Sequence, residues 1–229
     1  MAIKLVVFDM AGTTVYDGDA VNNCLRATLR DAGLTVDRNA VNAVMGIAKP
    51  EAIRQLIEGP PGSESLKNRI HEIHADFVER SKRFYKSDPE VREMPGASTA
   101  LAALRAAGIK VGLNTGFTRD IAQILIDRLG WNGTPPVIDA SVTSDEVPRG
   151  RPFPDMIRFL MRKFAIIDPQ EVAKVGDTPS DLEEGASAGC RLIIGVTNGT
   201  HTRAELEKYP HTHLVDSVGN VPGLIANSR

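Results

Sequence analysis

The chain opens with an apolar run, Leu5-Val6-Val7-Phe8, that ends in Asp9. A run that is apolar at every position, not at alternate ones, suits a strand covered on both faces. Mostly apolar, strand-like stretches recur at 109–114, 137–142, 172–176 and 191–196. Helical spacing fills the intervals, over 97–107, 118–129, 152–164 and 180–189, with Gly108 and Gly189 placed to stop two of these helices. Strands alternating with helices predict right-handed βαβ units and a parallel sheet, hence an α/β fold. One stretch breaks the alternation. Between Val15 and Glu90 no strand signal occurs, and helices are predicted over 21–33, 38–44, 50–58 and 63–85, with Gly59-Pro60-Pro61-Gly62 as a firm break. The expected organisation is therefore a core made of residues 1–14 and 92–229 and an all-helical unit of residues 15–91. Inserted after the carboxyl end of the first strand, that unit lies where a lid would.

Bulk composition narrows the classes. Of 229 residues, 42% are hydrophobic and 24% charged, as in an ordinary globular chain. The net charge of -2 supplies no electrostatic case for nucleic acid or an anionic membrane as partner. Two cysteines, Cys24 and Cys190, make no disulfide framework and fit a reducing compartment as buried thiols. No apolar run approaches ~20 residues, and the N-terminal run is too short and too soon followed by Asp9 to be a secretion signal. A cytoplasmic location is the expectation.

The chemistry collects at the ends of the strands. Asp9 ends the first, Thr115 the second, the Arg149-Gly150-Arg151 segment follows the third, and Gly176-Asp177-Thr178-Pro179-Ser180-Asp181 ends the fourth. In a parallel sheet these ends converge on one edge, the edge that binds ligands. Asp9 with Asp177 makes a pair of carboxylates suited to a hard divalent cation, with Mg²⁺ the natural candidate. Gly12 permits a sharp turn, and Thr13 and Thr14 bring hydroxyl and N–H donors. Thr115, backbone N–H groups and Arg151 would hold phosphoryl oxygens. The set points to phosphoryl transfer with a carboxylate as attacking group.

These four motifs, in this order, resemble those of the haloacid dehalogenase (HAD) superfamily of aspartate-nucleophile hydrolases, with the cap after the first motif. The resemblance implies a Rossmann-like core and a helical cap. It implies Asp9 as the nucleophile that becomes an aspartyl-phosphate, Thr115 and Arg151 as phosphoryl-binding catalytic residues, and Gly12, Thr13, Met45 and Gly116 as substrate contacts. Asp9, the carbonyl of Ala11, Asp177 and Asp181 would form the Mg²⁺ site. Most phosphatases of the superfamily carry aspartate where this chain has Ala11, and alanine cannot protonate a leaving alkoxide. The Asp-x-Ala-Gly-Thr form, with Arg151 in place of the usual lysine, is similar to the phosphonatase group, which cleaves a carbon–phosphorus bond through a Schiff base on a cap lysine. Met45-Gly46-Ile47-Ala48-Lys49 resembles the segment bearing that lysine. Lys49 precedes Pro50 at a predicted helix start, where the dipole, Arg151 and burial would disfavour its charged form. Three positions depart from that group: Ala52, Phe117 and Asp19 replace its histidine, tyrosine and cysteine.

The resulting expectation is a hydrolase acting on phosphonoacetaldehyde or a related 2-oxoalkylphosphonate. A phosphate-monoester phosphatase of phosphoglycolate or sugar-phosphate type is the alternative, and a non-catalytic phosphometabolite-binding protein a second. The partner is a small phosphorylated or phosphonate substrate, and apolar cap faces would suit a homodimer. Other residues are expected to be structural: His71 and His74 on a solvated helix face, His201, His211 and His213 at the surface, and Trp131 in packing. Asp145 and Glu146 either line the site or end a strand.

Overall fold

The computed structural model describes residues 2–58, 60, 61 and 63–228, so Gly59 and Gly62 of the predicted break lie outside the described residues. The core is a six-stranded parallel sheet in the order β5-β4-β1-β6-β7-β8. Its strands are β1 (Leu5–Phe8), β4 (Lys110–Thr115), β5 (Ala140–Thr143), β6 (Val172–Gly176), β7 (Leu192–Val196) and β8 (His213–Val215). β1 is wholly buried and central, paired in register with β4 on one side and β6 on the other. Its alternate residues divide between two apolar layers. Val6 and Phe8 pack with Leu101 and Leu104 of α5 (Ala97–Ala106), Ile121 and Leu125 of α6 (Arg119–Arg128) and Ile225 of α10 (Val221–Asn227). Leu5 and Val7 pack with Met156 and Leu160 of α7 (Asp155–Lys163) and Leu182 of α8 (Pro179–Ala188). Burying each such side chain contributes about 1.5–3 kcal/mol, which is why this strand carries no polar position before Asp9. The chain leaves β1 for β4 and reaches β6 only later, so β1, β4 and β6 flank the point where ligands bind outside the strand ends.

Several boundaries differ from the sequence expectation for identifiable reasons. The strand expected over 137–142 begins at Ala140, because Asp139 instead uses its carboxylate to accept the Val111 N–H at 2.9 Å. The helix expected from Pro152 begins at Asp155, after Pro154 as its cap. The helix expected over 63–85 is a 3₁₀ segment, Glu64–Arg69, followed by α4 (Ile70–Ser87). Ser63 does not cap it, since its hydroxyl is spent on the carbonyls of Ile57 and Pro60. β8 was not anticipated; three residues with an exposed histidine leave no apolar pattern.

Between the two crossings of the core edge the chain is helical: α1 (Ala20–Asp31), α2 (Arg38–Asn42), α3 (Lys49–Glu58) and α4. Strand structure does occur at its margins, contrary to expectation. β2 (Val15–Tyr16) and β3 (Arg92–Glu93) form a two-residue antiparallel ribbon, Val15 opposite Glu93 and Tyr16 opposite Arg92. No helix among the described residues is long and apolar enough to cross a membrane.

The cap is seated on the core through the turn before α3. Gly46 has φ 81°, and a Cβ there would lie 2.2 Å from Ser180 Oγ and 2.4 Å from Thr178 Oγ1. Ser180 donates to the Met45 carbonyl at 3.1 Å. On the other side, a Cβ on Gly116 would lie 2.4 Å from the Ile47 carbonyl oxygen. Gly116→Ala should therefore lift the turn off the core, since forcing in an extra carbon costs about 1–3 kcal/mol. Amide exchange over residues 45–49 should quicken by about ten- to a hundredfold, read by hydrogen–deuterium exchange, while the sheet's exchange stays as it was.

Candidate active site

The ends of β1, β4 and β6 bring Asp9, Thr115 and Asp177 together with Asp181 and Arg151. Asp9 is 5% exposed, and Asp177 and Asp181 are fully buried. One carboxylate oxygen from each of the three lies within 4.8 Å of the others. The fold fixes each of them separately. Asp177 Oδ1 accepts from Thr13 Oγ1 at 2.7 Å and Oδ2 from the Thr200 N–H at 2.7 Å. Asp181 forms a capping box with Thr178 at the start of α8, accepting from its hydroxyl at 2.5 Å through Oδ2. Its other oxygen, Oδ1, faces Arg151 Nη1 at 3.1 Å and Lys174 Nζ at 2.8 Å without a well-aligned hydrogen bond to either.

Behind these carboxylates lies a network that sequence reading missed. Arg151 Nη1 reaches Asp9 Oδ1 at 2.7 Å, Nε donates to Glu184 at 3.1 Å, and Nη2 donates to the Asn114 side-chain oxygen at 2.6 Å. Asn114 in turn donates to both Glu184 oxygens at 2.8 Å and accepts from Lys174 at 2.8 Å. Lys174 and Glu184 have no solvent exposure. A signal for Lys174 was available in the sequence, as a lone cation inside the apolar run 172–176. Four buried carboxylates, Asp9, Asp177, Asp181 and Glu184, face two fixed cations, Arg151 and Lys174. Burial raises Asp9 to about 7, against the pull of Arg151, and Asp181 and Asp177 add to the rise. Burial and then Asp181 raise Asp177 to about 6. An all-oxygen donor set with an excess charge of two fits a hard divalent cation.

Above the carboxylates is a cavity of about 150 Å³, whose walls come from both core and cap. Of the expected site residues, Asp9, Ala11, Gly12, Met45, Lys49, Thr115, Gly116 and Arg151 line it. Thr13 does not. It was expected to contact substrate, but its hydroxyl is committed to Asp177 and its N–H to the Met10 carbonyl at 3.2 Å. Thr14 is likewise consumed, its N–H by Met10 and its hydroxyl by the Asp9 carbonyl. The turn after β1 satisfies itself, so these two threonines hold the loop that follows Asp9.

Lys49 is the first residue of α3 and only 3% exposed. Its Nζ donates to the Ile47 carbonyl at 3.2 Å and stands 5.7 Å from the centre of the Phe117 ring. Burial lowers it to about 8; Asp9 opposes the shift and Arg151 adds to it. Burial, not the helix dipole, is the main cause. Asp19, at the cap entrance, lines the cavity and is paired with Arg38 at 2.8 Å.

Other expectations resolve plainly. His201 is 9% exposed and not at the surface, because the 198–201 loop folds over Asp177; a Cβ on Gly199 would meet Asp177 Cβ at 2.5 Å. Burial lowers the His201 pKa. His71 is exposed, but His74 is half-buried; neither belongs to a metal-holding group among the described residues. Trp131 is fully buried and donates to Ser98 at 3.0 Å. Asp145 and Glu146 end β5: Glu146 accepts the Thr143 N–H at 2.9 Å and Asp145 accepts the Arg119 N–H at 3.1 Å.

Asp9, Thr115, Arg151 and Asp177 thus meet at one edge of a parallel sheet beneath a helical insertion, the arrangement of a hydrolase with a haloacid dehalogenase-like fold. The family profile described as "haloacid dehalogenase-like hydrolase" matches residues 3–189, and the chain belongs to that family. Among curated relatives, a phosphonoacetaldehyde hydrolase of Bacteroides fragilis is 33% identical over 221 residues, covering 91% of this chain and 81% of that protein. One from Bacillus cereus is 30% identical over 231 residues, covering 95% and 86%. Among solved structures, a phosphonoacetaldehyde hydrolase-like protein from Oleispira antarctica superposes with a TM-score of 0.86 at 23% identity, covering 99% of this chain and 92% of that one. A predicted phosphoglycolate phosphatase from Haemophilus somnus superposes at 0.81 with 19% identity, covering 97% of each. These structural likenesses concern the fold.

The raised carboxylates set the sign of a pH effect. With folded pKa values above the unfolded ones, Asp9 and Asp177 bind more protons folded than unfolded, so their contribution to stability falls as pH rises from about 4 through 7. A divalent cation binding the ionised carboxylates opposes that loss. Adding Mg²⁺ should raise the melting temperature at pH 8 and have little effect at pH 5, and Asp177→Asn should remove the pH 8 effect, read by thermal-shift fluorescence.

Proposed function

We propose that this hydrolase cleaves the C–P bond of phosphonoacetaldehyde or a related 2-oxoalkylphosphonate, through an imine on Lys49 and an aspartyl-phosphate on Asp9. The observation that carries the reading is a buried lysine, lowered to about 8, lining the same small cavity as Asp9 while position 11 offers only a methyl group. The curated relatives named above point the same way.

The residues divide the work as follows. The Lys49 amine attacks the substrate aldehyde and, with loss of water, forms an imine. Arg151 and Thr115 hold the phosphonyl oxygens over Asp9. The imine takes a proton from solvent on nitrogen, and an Asp9 oxygen then bonds to phosphorus as the C–P pair moves into this protonated imine, which serves as an electron sink. The leaving group is an enamine, so no acid is needed to protonate a leaving oxygen, and Ala11 ceases to be a defect. Asp9, Asp177, Asp181 and the Ala11 carbonyl would hold Mg²⁺, which supplies Lewis-acid stabilisation of charge on the phosphoryl oxygens. Water attack on the aspartyl-phosphate releases phosphate and restores Asp9. Hydrolysis of an ordinary phosphate ester would need the proton donor that position 11 lacks.

The test is phosphate release from phosphonoacetaldehyde in Mg²⁺, with the unmodified protein beside Lys49→Arg. Release should occur in the first and vanish in the second, while the variant still forms a beryllofluoride adduct at Asp9. Full activity in Lys49→Arg would remove the imine from the account.

A further inference from the structure

Cleavage through an imine creates a second proton problem that none of the residues above solves. Once phosphorus has left, the substrate remains on Lys49 as an enamine whose terminal carbon must gain a proton before the aldehyde can be freed. Among the described residues lining the cavity, the acidic side chains are Asp9, Asp17 and Asp19. Asp9 is occupied by phosphorus at that moment. Asp19 is tied to the Arg38 guanidinium at the cavity rim. Asp17 is different. It is 8% exposed, no cation pairs with it among the described ion pairs, and Tyr85 of α4 donates to its Oδ2 at 2.6 Å. Tyr85 stacks edge-on to Phe117 at 5.5 Å between ring centres, and Phe117 is the ring beside Lys49. Asp17, Phe117 and Lys49 thus share the cavity wall, and Tyr85, buried behind it, touches both Asp17 and Phe117.

We propose that Asp17 is the catalytic acid that protonates the enamine carbon, with Tyr85 fixing its orientation. This rests on the C–P cleavage reading. The step balances: the enamine's π pair takes the carboxyl proton at carbon, nitrogen becomes an iminium, and Asp17 becomes a carboxylate. Water then adds to the iminium, the aldehyde leaves, Lys49 is freed, and the proton released returns to Asp17. The environment supports a carboxyl that holds a proton. Burial raises the Asp17 pKa, against the hydrogen bonds from Tyr85 and the Ala20 and Asp19 N–H groups. Burial pushes the Tyr85 phenol well up, and the Asp17 charge adds to the rise once the carboxyl has given up its proton, so Tyr85 stays a donor throughout.

The experiment is pre-steady-state phosphate release from phosphonoacetaldehyde, comparing the unmodified protein with Asp17→Asn. Asparagine keeps the acceptor for Tyr85 but carries no acidic proton. The variant should release a burst of about one phosphate per active site, then turn over more slowly by about 10²-fold or more, because C–P cleavage precedes the blocked step. In Asp17→Ala, added formate should restore part of the lost rate. Turnover of Asp17→Asn within about threefold of the unmodified protein, a slow variant without a burst, or an Asp17→Ala variant indifferent to formate would overturn the role of Asp17 and leave C–P cleavage standing. Failure of the unmodified protein to release phosphate would take down both.

Discussion

Four carboxylates removed from water at one sheet edge repel one another, and the edge holds because Arg151 and Lys174 stand between them. Neither cation is a surface arginine or lysine that happens to lie nearby. Lys174 rises from the middle of β6 and touches Asp181, Glu184 and Asn114. Arg151 arrives from the segment after β5 and spends its guanidinium on Asp9, Asp181, Glu184 and Asn114. A buried ion pair recovers its desolvation cost only when the remaining polar atoms are also satisfied. Asn114 does this by donating to Glu184 while accepting from both cations. The position of Asp9 is therefore a property of the whole cluster. The two negative charges left over suit the site to a divalent cation.

The same guanidinium links core to cap. Arg151 Nη1 donates to the Gly46 carbonyl at 3.2 Å, in the turn that delivers Lys49. That turn also receives the Ser180 hydroxyl from α8 and packs against Gly116 after β4. Groups that grip phosphorus in the reading offered above thus also register the cap. With the cap seated in this way Lys49 is buried, and burial is what lowers its pKa.

Much of this was legible in the chain. Asp9, Thr115, Arg151 and Asp177 stand at the ends of apolar runs, and a parallel sheet forces such ends together whatever their separation in sequence. Lys49 was singled out through the resemblance of the 45–49 segment to one bearing a cap lysine, and it lies in the cavity wall. What stayed hidden depends on contacts between segments that carry no shared pattern. Asp17 and Tyr85 are 68 positions apart, and nothing local marks either as the other's partner. The 198–201 loop looks polar and exposed, yet its backbone amide at Thr200 is needed by Asp177. Thr13 was misjudged for the opposite reason. A hydroxyl beside a nucleophile suggests a ligand, whereas a buried carboxylate nearby was the stronger claimant.

The β2–β3 ribbon has a consequence for how such an enzyme diversifies. With Val15 opposite Glu93, the chain leaves the core and returns to it at neighbouring positions, about 5 Å apart by the spacing of antiparallel pairs. Whatever lies between starts and finishes at nearly the same point, so its length and content make no demand on the sheet. Phosphorus chemistry belongs to one side of this junction. Lys49 and the Asp17–Tyr85 pair belong to the other. On the reading proposed above, leaving-group preference can therefore be exchanged as a cassette, with Asp9 and its counter-charges inherited untouched.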